Sequence, residues 1–255
     1  MSLLSFKILA AVIILLITLL GGIWPLLRKT SLQDAHLPTF DFPIGESLAA
    51  GIFLGAGLLH MLPDAAQAFY KAGYAYPFPF LIAALGFLSL LSLEHISNSL
   101  KGHANTLLSS VALLTATMLS IHSLLEGAAV GIAENLATTL MIFIAILAHK
   151  GAASFALATH LTRSRLKLPL IIFSFSFFAL MTPLGIFAGS WMVSAPSTHV
   201  LLTPIFSALA AGTFLYIGTL HGLDRAILIK HCGNMREFSF MILGFATMAI
   251  VAIWT

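Results

Sequence analysis

Apolar runs of about 20 residues, separated by short polar breaks, recur along the whole chain. A helix rises about 1.5 Å per residue, so a run of this length crosses the roughly 30 Å hydrocarbon core of a bilayer. We therefore expect an all-α polytopic membrane protein that folds as one transmembrane domain over residues 1–255. The runs predict eight helices, near residues 6–27, 44–69, 78–100, 106–133, 138–162, 168–193, 199–223 and 237–254.

The composition supports this interpretation. Of the 255 residues, 59% are hydrophobic and 8% are charged, whereas about a quarter of an ordinary soluble domain is charged. This excludes a water-soluble fold and makes membrane lipid the expected surroundings. The net charge of +3 comes from 12 Lys and Arg against 9 Asp and Glu, too few and too scattered for a surface that binds nucleic acid. Cys232 is the single cysteine, which excludes an intramolecular disulfide.

The first apolar run is interpreted as a membrane helix and not as a secretory signal peptide. Lys7 precedes it, as in a signal peptide, but the run continues from Ile8 to Leu27 and ends at Arg28. A signal peptide has a shorter apolar region followed by a cleavage site of small residues, and this pattern is not found here.

The basic residues predict how the chain is oriented. Nine of them lie in alternate loops on one side, two lie on the other (Lys7 and Lys71), and Lys150 falls within a predicted helix. Cytoplasmic loops are enriched in Lys and Arg, so we expect a multi-pass protein of the cell membrane with both termini extracytoplasmic. The nine are Arg28, Lys29, Lys101, Arg163, Arg165, Lys167, Arg225, Lys230 and Arg236.

One internal repeat is visible in the sequence. Residues 51–62 and 212–223 are identical at seven of twelve positions, including the pair His60 and His221. In the predicted topology the first segment runs outward and the second inward, so the repeat is inverted, which is a common layout of transporters. The alternative is chance similarity between two apolar, glycine-rich stretches.

Ionisable residues within the predicted helices are concentrated in three of them. His122 and Glu126 lie one turn apart on the fourth helix, and His149 lies near the middle of the fifth. A charged group in hydrocarbon is costly and needs a partner or a purpose, and imidazole and carboxylate are ligands of zinc and its first-row neighbours. With His60 of the second helix, these residues predict one metal site. A structural hydrogen bond between helices is the alternative for His122 and Glu126.

Further polar groups predict a route to and from this site. Asp64 lies one turn outward of His60, whereas Glu94 and His221 lie inward of the central residues. Lys150 is predicted to lie beside the site, where an ammonium group repels a second cation and neutralises a carboxylate when the site is empty. We therefore expect one metal ion and not two.

These motifs resemble those of the ZIP (Zrt- and Irt-like) family of metal transporters over nearly the whole chain. The most specific match is His-Ser-Leu-Leu-Glu-Gly-Ala-Ala-Val-Gly at 122–131, followed by His-Lys-Gly-Ala-Ala-Ser-Phe-Ala-Leu at 149–157. Together with residues 51–64 and 211–216, they are similar to the branch that includes the animal plasma-membrane zinc importers. The resemblance implies eight helices arranged as three, two and three, metal bound between helices 2, 4 and 5, and movement into the cytoplasm.

The resemblance also assigns individual residues. The residues that match the family's metal ligands are His60, His122, Glu126 and His149. At four other positions this chain departs from members with a two-metal centre, which have polar or acidic ligands there. These positions are Ser123, Lys150, Ala153 and His221. The departures argue against a second metal ion, in agreement with the charge of Lys150.

Zinc uptake is the function that these observations predict, and Fe²⁺, Mn²⁺ and Cd²⁺ fit the same ligands. No cofactor besides the transported ion and no enzymatic activity are expected, and a homodimer is one assembly that the chain leaves open. The alternative is an intramembrane zinc hydrolase in which Glu126 activates a bound water, although the sequence His-Glu-x-x-His is missing. A purely structural membrane subunit would leave the cost of the central charges unexplained.

Overall fold

A computed structural model describes residues 2–31, 42–99, 104–164, 166–192, 201–221 and 235–254. These residues form eight helices and no strand, so the predicted all-α fold is confirmed. The helices are α1 (Leu3–Ser31), α2 (Pro43–Lys71), α3 (Phe78–Ser99), α4 (Ala104–Ile132), α5 (Leu136–Arg163), α6 (Leu168–Met192), α7 (Leu202–Tyr216, continued by Ile217–His221) and α8 (Met235–Val251).

Most of these helices have the length and composition of membrane spans. Within the described residues, α1 to α6 each contain a segment long and apolar enough to cross a bilayer. The apolar segment of α7, Pro204–Thr219, is shorter, and α8 has 17 residues. Large apolar side chains such as Leu20 and Phe173 point outward, with 69% and 66% of their surface exposed, as expected for helices that face lipid. A multi-pass membrane protein is therefore confirmed.

The helices pack in pairs that follow the inverted repeat. α1 packs against α5 and α4 against α6, whereas α2 packs against α8 and α3 against α7. The repeat matches α1, α2 and α3 with α6, α7 and α8, and it matches α4 with α5. It therefore relates the α1–α5 pair to the α4–α6 pair, and the α2–α8 pair to the α3–α7 pair. We call α1, α4, α5 and α6 the first bundle, and α2, α3, α7 and α8 the second bundle.

Two glycines at equivalent positions of the repeat produce equivalent helix contacts. Gly51 of α2 lies against the backbone of Met241 in α8, and Gly212 of α7 lies against the backbone of Ala83 in α3. A Cβ atom at either glycine would overlap the neighbouring carbonyl oxygen. Small residues that let backbones approach closely are typical of membrane helix interfaces, and here the repeat places them symmetrically.

The same two helices also share a local distortion. A π-helical turn covers Ala56–Met61 of α2, and another covers Ile217–His221 of α7. In the alignment of residues 51–62 with residues 212–223, the first residue of one turn, Ala56, matches the first residue of the other, Ile217. Single π-helical turns occur frequently at functional sites, and His60 lies within the first of them.

Two long-range contacts establish which helix ends lie on the same side. Lys7, near the start of α1, donates a hydrogen bond of 2.5 Å to the carbonyl of Gly131, near the end of α4. Glu46, in the first turn of α2, pairs with Arg163, the last residue of α5. We call the side at which α1 begins and α4 ends the terminal side, and the opposite one the Arg163 side.

The close packing of α4 on α6 generates a stability prediction. A Cβ atom at Gly185 of α6 would overlap the Leu124 carbonyl oxygen and lie 2.8 Å from the Ala128 nitrogen, both in the α4 backbone. Gly185→Ala is therefore expected to lower the free energy of unfolding by about 1–3 kcal/mol, the usual cost of overpacking. A lowered melting temperature in detergent would report this loss.

Gly151→Ala is the matched control, because it introduces the same methyl group into a helix of the same bundle. Its Cβ would lie 3.5 Å from Cγ2 of Ile17, an ordinary van der Waals distance, and Ala stabilises a helix interior by about 0.5–1 kcal/mol relative to Gly. Equal melting temperatures of the two variants would contradict the proposed packing of α4 on α6.

Candidate metal site

Three ionisable residues converge in the interior between α4 and α5. His122 and Glu126 lie one turn apart on α4, and His149 reaches the same carboxylate from α5. The Nε2 atoms of both histidines lie 2.9 Å from Oε1 of Glu126, and one ligand atom from each residue lies within 4.8 Å of the others. We call these three residues the central cluster. The structure thus brings together three of the four residues that the sequence predicted as metal ligands.

Burial and incomplete hydrogen bonding characterise the central cluster. His149 is 1% exposed, His122 is 5% exposed, and the Glu126 side chain is 12% exposed. Within the described residues, Oε2 of Glu126 has no hydrogen-bond partner, and Nε2 of His122 lies 2.9 Å from Oε1 of Glu126 without the alignment of a hydrogen bond. A buried polar atom without a partner is unfavourable, and lone pairs that converge in this way suit a shared cation.

His60 lies next to the central cluster but not within it. Its ring centroid is 6.4 Å from that of His149, and its Nδ1 lies 3.0 Å from Oδ2 of Asp64, one turn further along α2. His60 lies within the π-helical turn of α2, and its ring is on the side of α2 that is next to His149 of α5. The side chain of Asp64 is half exposed, so the pair leads from the surface towards the central cluster.

A large cavity connects these residues with the terminal side. Its volume is about 460 Å³, and its lining includes His60, Asp64, His122 and Glu126. Ala129 near the end of α4, Thr138 near the start of α5 and Pro204 near the start of α7 line its opposite end. The cavity therefore reaches the central cluster from one side of the protein.

Lys150 is buried on the other flank of the central cluster. It is 1% exposed, donates a hydrogen bond of 2.6 Å to Oγ of Ser123, and lies over the ring of Phe178 at 4.5 Å from its centroid. Within the described residues no ion pair joins Lys150 to Glu126, so the ammonium interacts directly with Ser123 instead. Two of the four positions at which this chain departs from members with a two-metal centre, Ser123 and Lys150, are thus bonded to each other.

Two other residues predicted for the route are Glu94 and His221. Glu94 of α3 accepts a hydrogen bond of 2.7 Å from the hydroxyl of Tyr216 in α7, and it is not among the residues that line the large cavity. His221 ends the π-helical turn of α7, and its side chain lies outside the described residues.

An aromatic pair that sequence reasoning missed lies against the central cluster. The ring centroid of Phe214 is 5.7 Å from that of His122 and 5.8 Å from that of His149. Phe53 contacts Phe214 with a centroid distance of 4.6 Å. Phe53 and Phe214 are equivalent positions of the repeat, which is the signal that could have identified them.

Sequence reasoning also missed an ion pair on the Arg163 side. Nη1 of Arg163 donates to Oε2 of Glu46 at 3.1 Å, and Nη2 donates to Oε1 at 2.6 Å. The sequence identifies Arg163 only as one of the nine basic residues of the predicted cytoplasmic loops. No pattern within the sequence links two residues that are 117 positions apart, so this contact was not predictable from spacing.

Comparisons with known proteins agree with the geometry. The family model described as ZIP zinc transporter matches residues 4–110 and 106–252 of this chain. The chain is 28% identical to mouse zinc transporter ZIP2, with 99% of both chains covered, and 30% identical to zebrafish zinc transporter ZIP1, with 97% of both covered. It is also 28% identical to human zinc transporter ZIP2, over 81% of this chain and 84% of that protein. The chain is a member of the ZIP zinc transporter family and is a transporter, not an enzyme.

Proposed function

We propose that the protein imports zinc through a single site formed by His60, His122, Glu126 and His149. The observation that carries the proposal is the convergence of the central cluster at the inner end of a cavity of about 460 Å³. Two imidazoles and a carboxylate supply three ligands of the tetrahedral shell that zinc prefers. The ring of His60 now lies 6.4 Å from that of His149, and His60 supplies the fourth ligand when its ring moves towards the central cluster.

The direction of transport follows from the proposed orientation. If the basic loops are cytoplasmic, the terminal side is extracytoplasmic and the large cavity opens away from the cytoplasm. An ion then meets the half-exposed carboxylate of Asp64 first, passes to His60 and reaches the central cluster. Because the ligands are exchanged one after another, the ion never loses its whole coordination shell at once. We assign the protein to the cell membrane with both termini outside.

One ion is the proposed stoichiometry of the site. The buried ammonium of Lys150, hydrogen-bonded to Ser123, occupies the flank where a second dication would have to lie. Like charges in a buried environment repel strongly because the interior screens them little.

Fe²⁺, Mn²⁺ and Cd²⁺ remain alternative substrates, since imidazole and carboxylate ligands suit several of these metals. The hydrolase alternative is not supported, because the matched family and the named relatives are transporters.

Zinc flux into proteoliposomes tests the role of Glu126. Glu126→Gln keeps the size of the side chain but removes the charge that binds the ion, so we expect a loss of flux of about tenfold or more. Equal melting temperatures of the variant and the wild type would separate this loss from misfolding. Glu237→Gln, the same change in the first turn of α8, is the control and should transport normally. Unchanged flux in Glu126→Gln would refute the proposed site.

Counting bound zinc tests the proposed stoichiometry. We expect purified wild-type protein to retain one zinc ion per chain by elemental analysis, and His149→Ala to lose it. Lys150→Glu replaces the ammonium by a carboxylate next to Ser123, and this variant is expected to bind a second ion. Two ions bound by the wild type would contradict the role of Lys150. Ser123→Ala leaves Lys150 in place and is the control that should still bind one.

A further inference from the structure

A small cavity lies on the side of the protein opposite to the large one. Its volume is about 30 Å³, close to the volume of one molecule of liquid water. It lies between α2, α5 and α7, and the residues that line it include Glu46, Phe53, Thr159, His160 and Arg163. Its surface is mostly apolar, but four of the residues around it carry polar groups: Glu46, Thr159, His160 and Arg163.

The Phe53–Phe214 pair separates this small cavity from the central cluster. Phe53 lines the small cavity, whereas Phe214 contacts the rings of His122 and His149. Both phenylalanines are 1% exposed, and their centroid distance of 4.6 Å leaves no room for an ion between the rings. An ion that leaves the central cluster in this direction must displace the pair.

Among the described residues, the Glu46–Arg163 ion pair forms the end of the small cavity that lies nearest the Arg163 side. The Glu46 side chain is 5% exposed and that of Arg163 is 30% exposed, so the pair lies at the boundary between the interior and the surface. Its two nearly parallel hydrogen bonds, of 2.6 and 3.1 Å, form the bidentate geometry that makes arginine–carboxylate pairs strong. The backbone nitrogen of Phe42 also donates to Glu46, which fixes the carboxylate in place.

The ion pair and the contact of Phe214 with the central cluster each join the two bundles, whereas Phe53 and Phe214 both belong to the second bundle. Phe214 of α7 touches His122 of α4 and His149 of α5, and Glu46 of α2 is bonded to Arg163 of α5. When one bundle rocks against the other, as inverted repeats commonly allow, these contacts must separate. The π-helical turns that follow Phe53 and Phe214 provide an irregular segment next to each ring.

We propose that the small cavity is the exit compartment for the transported divalent cation, with two barriers that open together. The aromatic pair closes it towards the central cluster, and the ion pair closes it towards the Arg163 side. When Arg163 withdraws, the carboxylate of Glu46 becomes available to the departing cation. This inference rests on the proposed function for the identity of the ion, but the closure of the cavity is a property of the protein alone.

Alkylation of an introduced cysteine tests the closure. The native thiol is first removed by Cys232→Ser, which leaves no cysteine in the chain. Ala50→Cys then places a thiol at a residue that lines the small cavity and is 1% exposed. In detergent both sides of the protein are accessible, so the rate of reaction with a maleimide reports the opening of the cavity whatever the membrane orientation.

We expect slow alkylation of Ala50→Cys in this background and at least about tenfold faster alkylation after Arg163→Ala or Phe214→Leu. Phe214→Leu keeps an apolar side chain, so this variant tests the opening of the cavity if Arg163→Ala fails to fold. Lys71→Ala removes an exposed hydrogen bond of 3.2 Å to Gln67 on the other side of the protein and should leave the rate unchanged. Ala68→Cys, which lines the large cavity, should react rapidly in the same background.

Two results would overturn the proposal. One is that Ala50→Cys reacts as fast as Ala68→Cys before any further substitution, which would show that the cavity is open. The other is that neither Arg163→Ala nor Phe214→Leu changes the rate in a folded protein. Neither readout depends on zinc, so failure here is distinguishable from failure of the proposed function, which is tested by the flux of Glu126→Gln.

Discussion

A buried carboxylate between two imidazoles is the interaction on which the rest of the structure depends. Glu126 lies among helices that otherwise bury apolar side chains, and both imidazole nitrogens that approach it do so at 2.9 Å. Such a group is costly in a low-dielectric interior unless a cation or hydrogen bonds compensate for its charge. The large cavity supplies a route by which a cation reaches it, and Lys150 supplies a fixed positive charge nearby. The proposed site for one dication follows from this charge balance.

The inverted repeat supplies the framework that holds this carboxylate between two halves. Equivalent glycines, equivalent π-helical turns and equivalent phenylalanines occur in α2 and α7. α2 packs against α5, and α7 packs against α4. The central cluster itself belongs to α4 and α5, which the repeat relates to each other. A transporter needs two conformations of similar free energy, and a backbone built from two related halves provides them.

Local spacing determined how much of this could be predicted from the sequence. His122 and Glu126 were predictable as a pair because residues four apart share a helix face, and the apolar runs were sufficient to identify an eight-helix membrane protein. His149 was predicted beside them because it lies near the middle of its predicted helix, and the family resemblance pointed to the same residue, although nothing in the sequence measures the distance between α4 and α5. Glu94 was expected on the route because of its depth alone, but depth does not specify direction, and its partner is Tyr216. The Glu46–Arg163 pair depends entirely on tertiary packing.

The two halves of the repeat differ at one position that bears on the closure of the Arg163 side. Glu46 lies at the Arg163 end of α2, and the equivalent position of α7 is Ser207, which lines the large cavity. A serine offers no charge with which a basic residue could close that cavity, whereas Glu46 holds Arg163 through two hydrogen bonds. Two halves with the same backbone plan therefore differ in the strength of their closing contacts. In the proposed mechanism, this one difference in side-chain chemistry favours the conformation with the Arg163 side closed, and an ion at the central cluster has to offset it before it leaves.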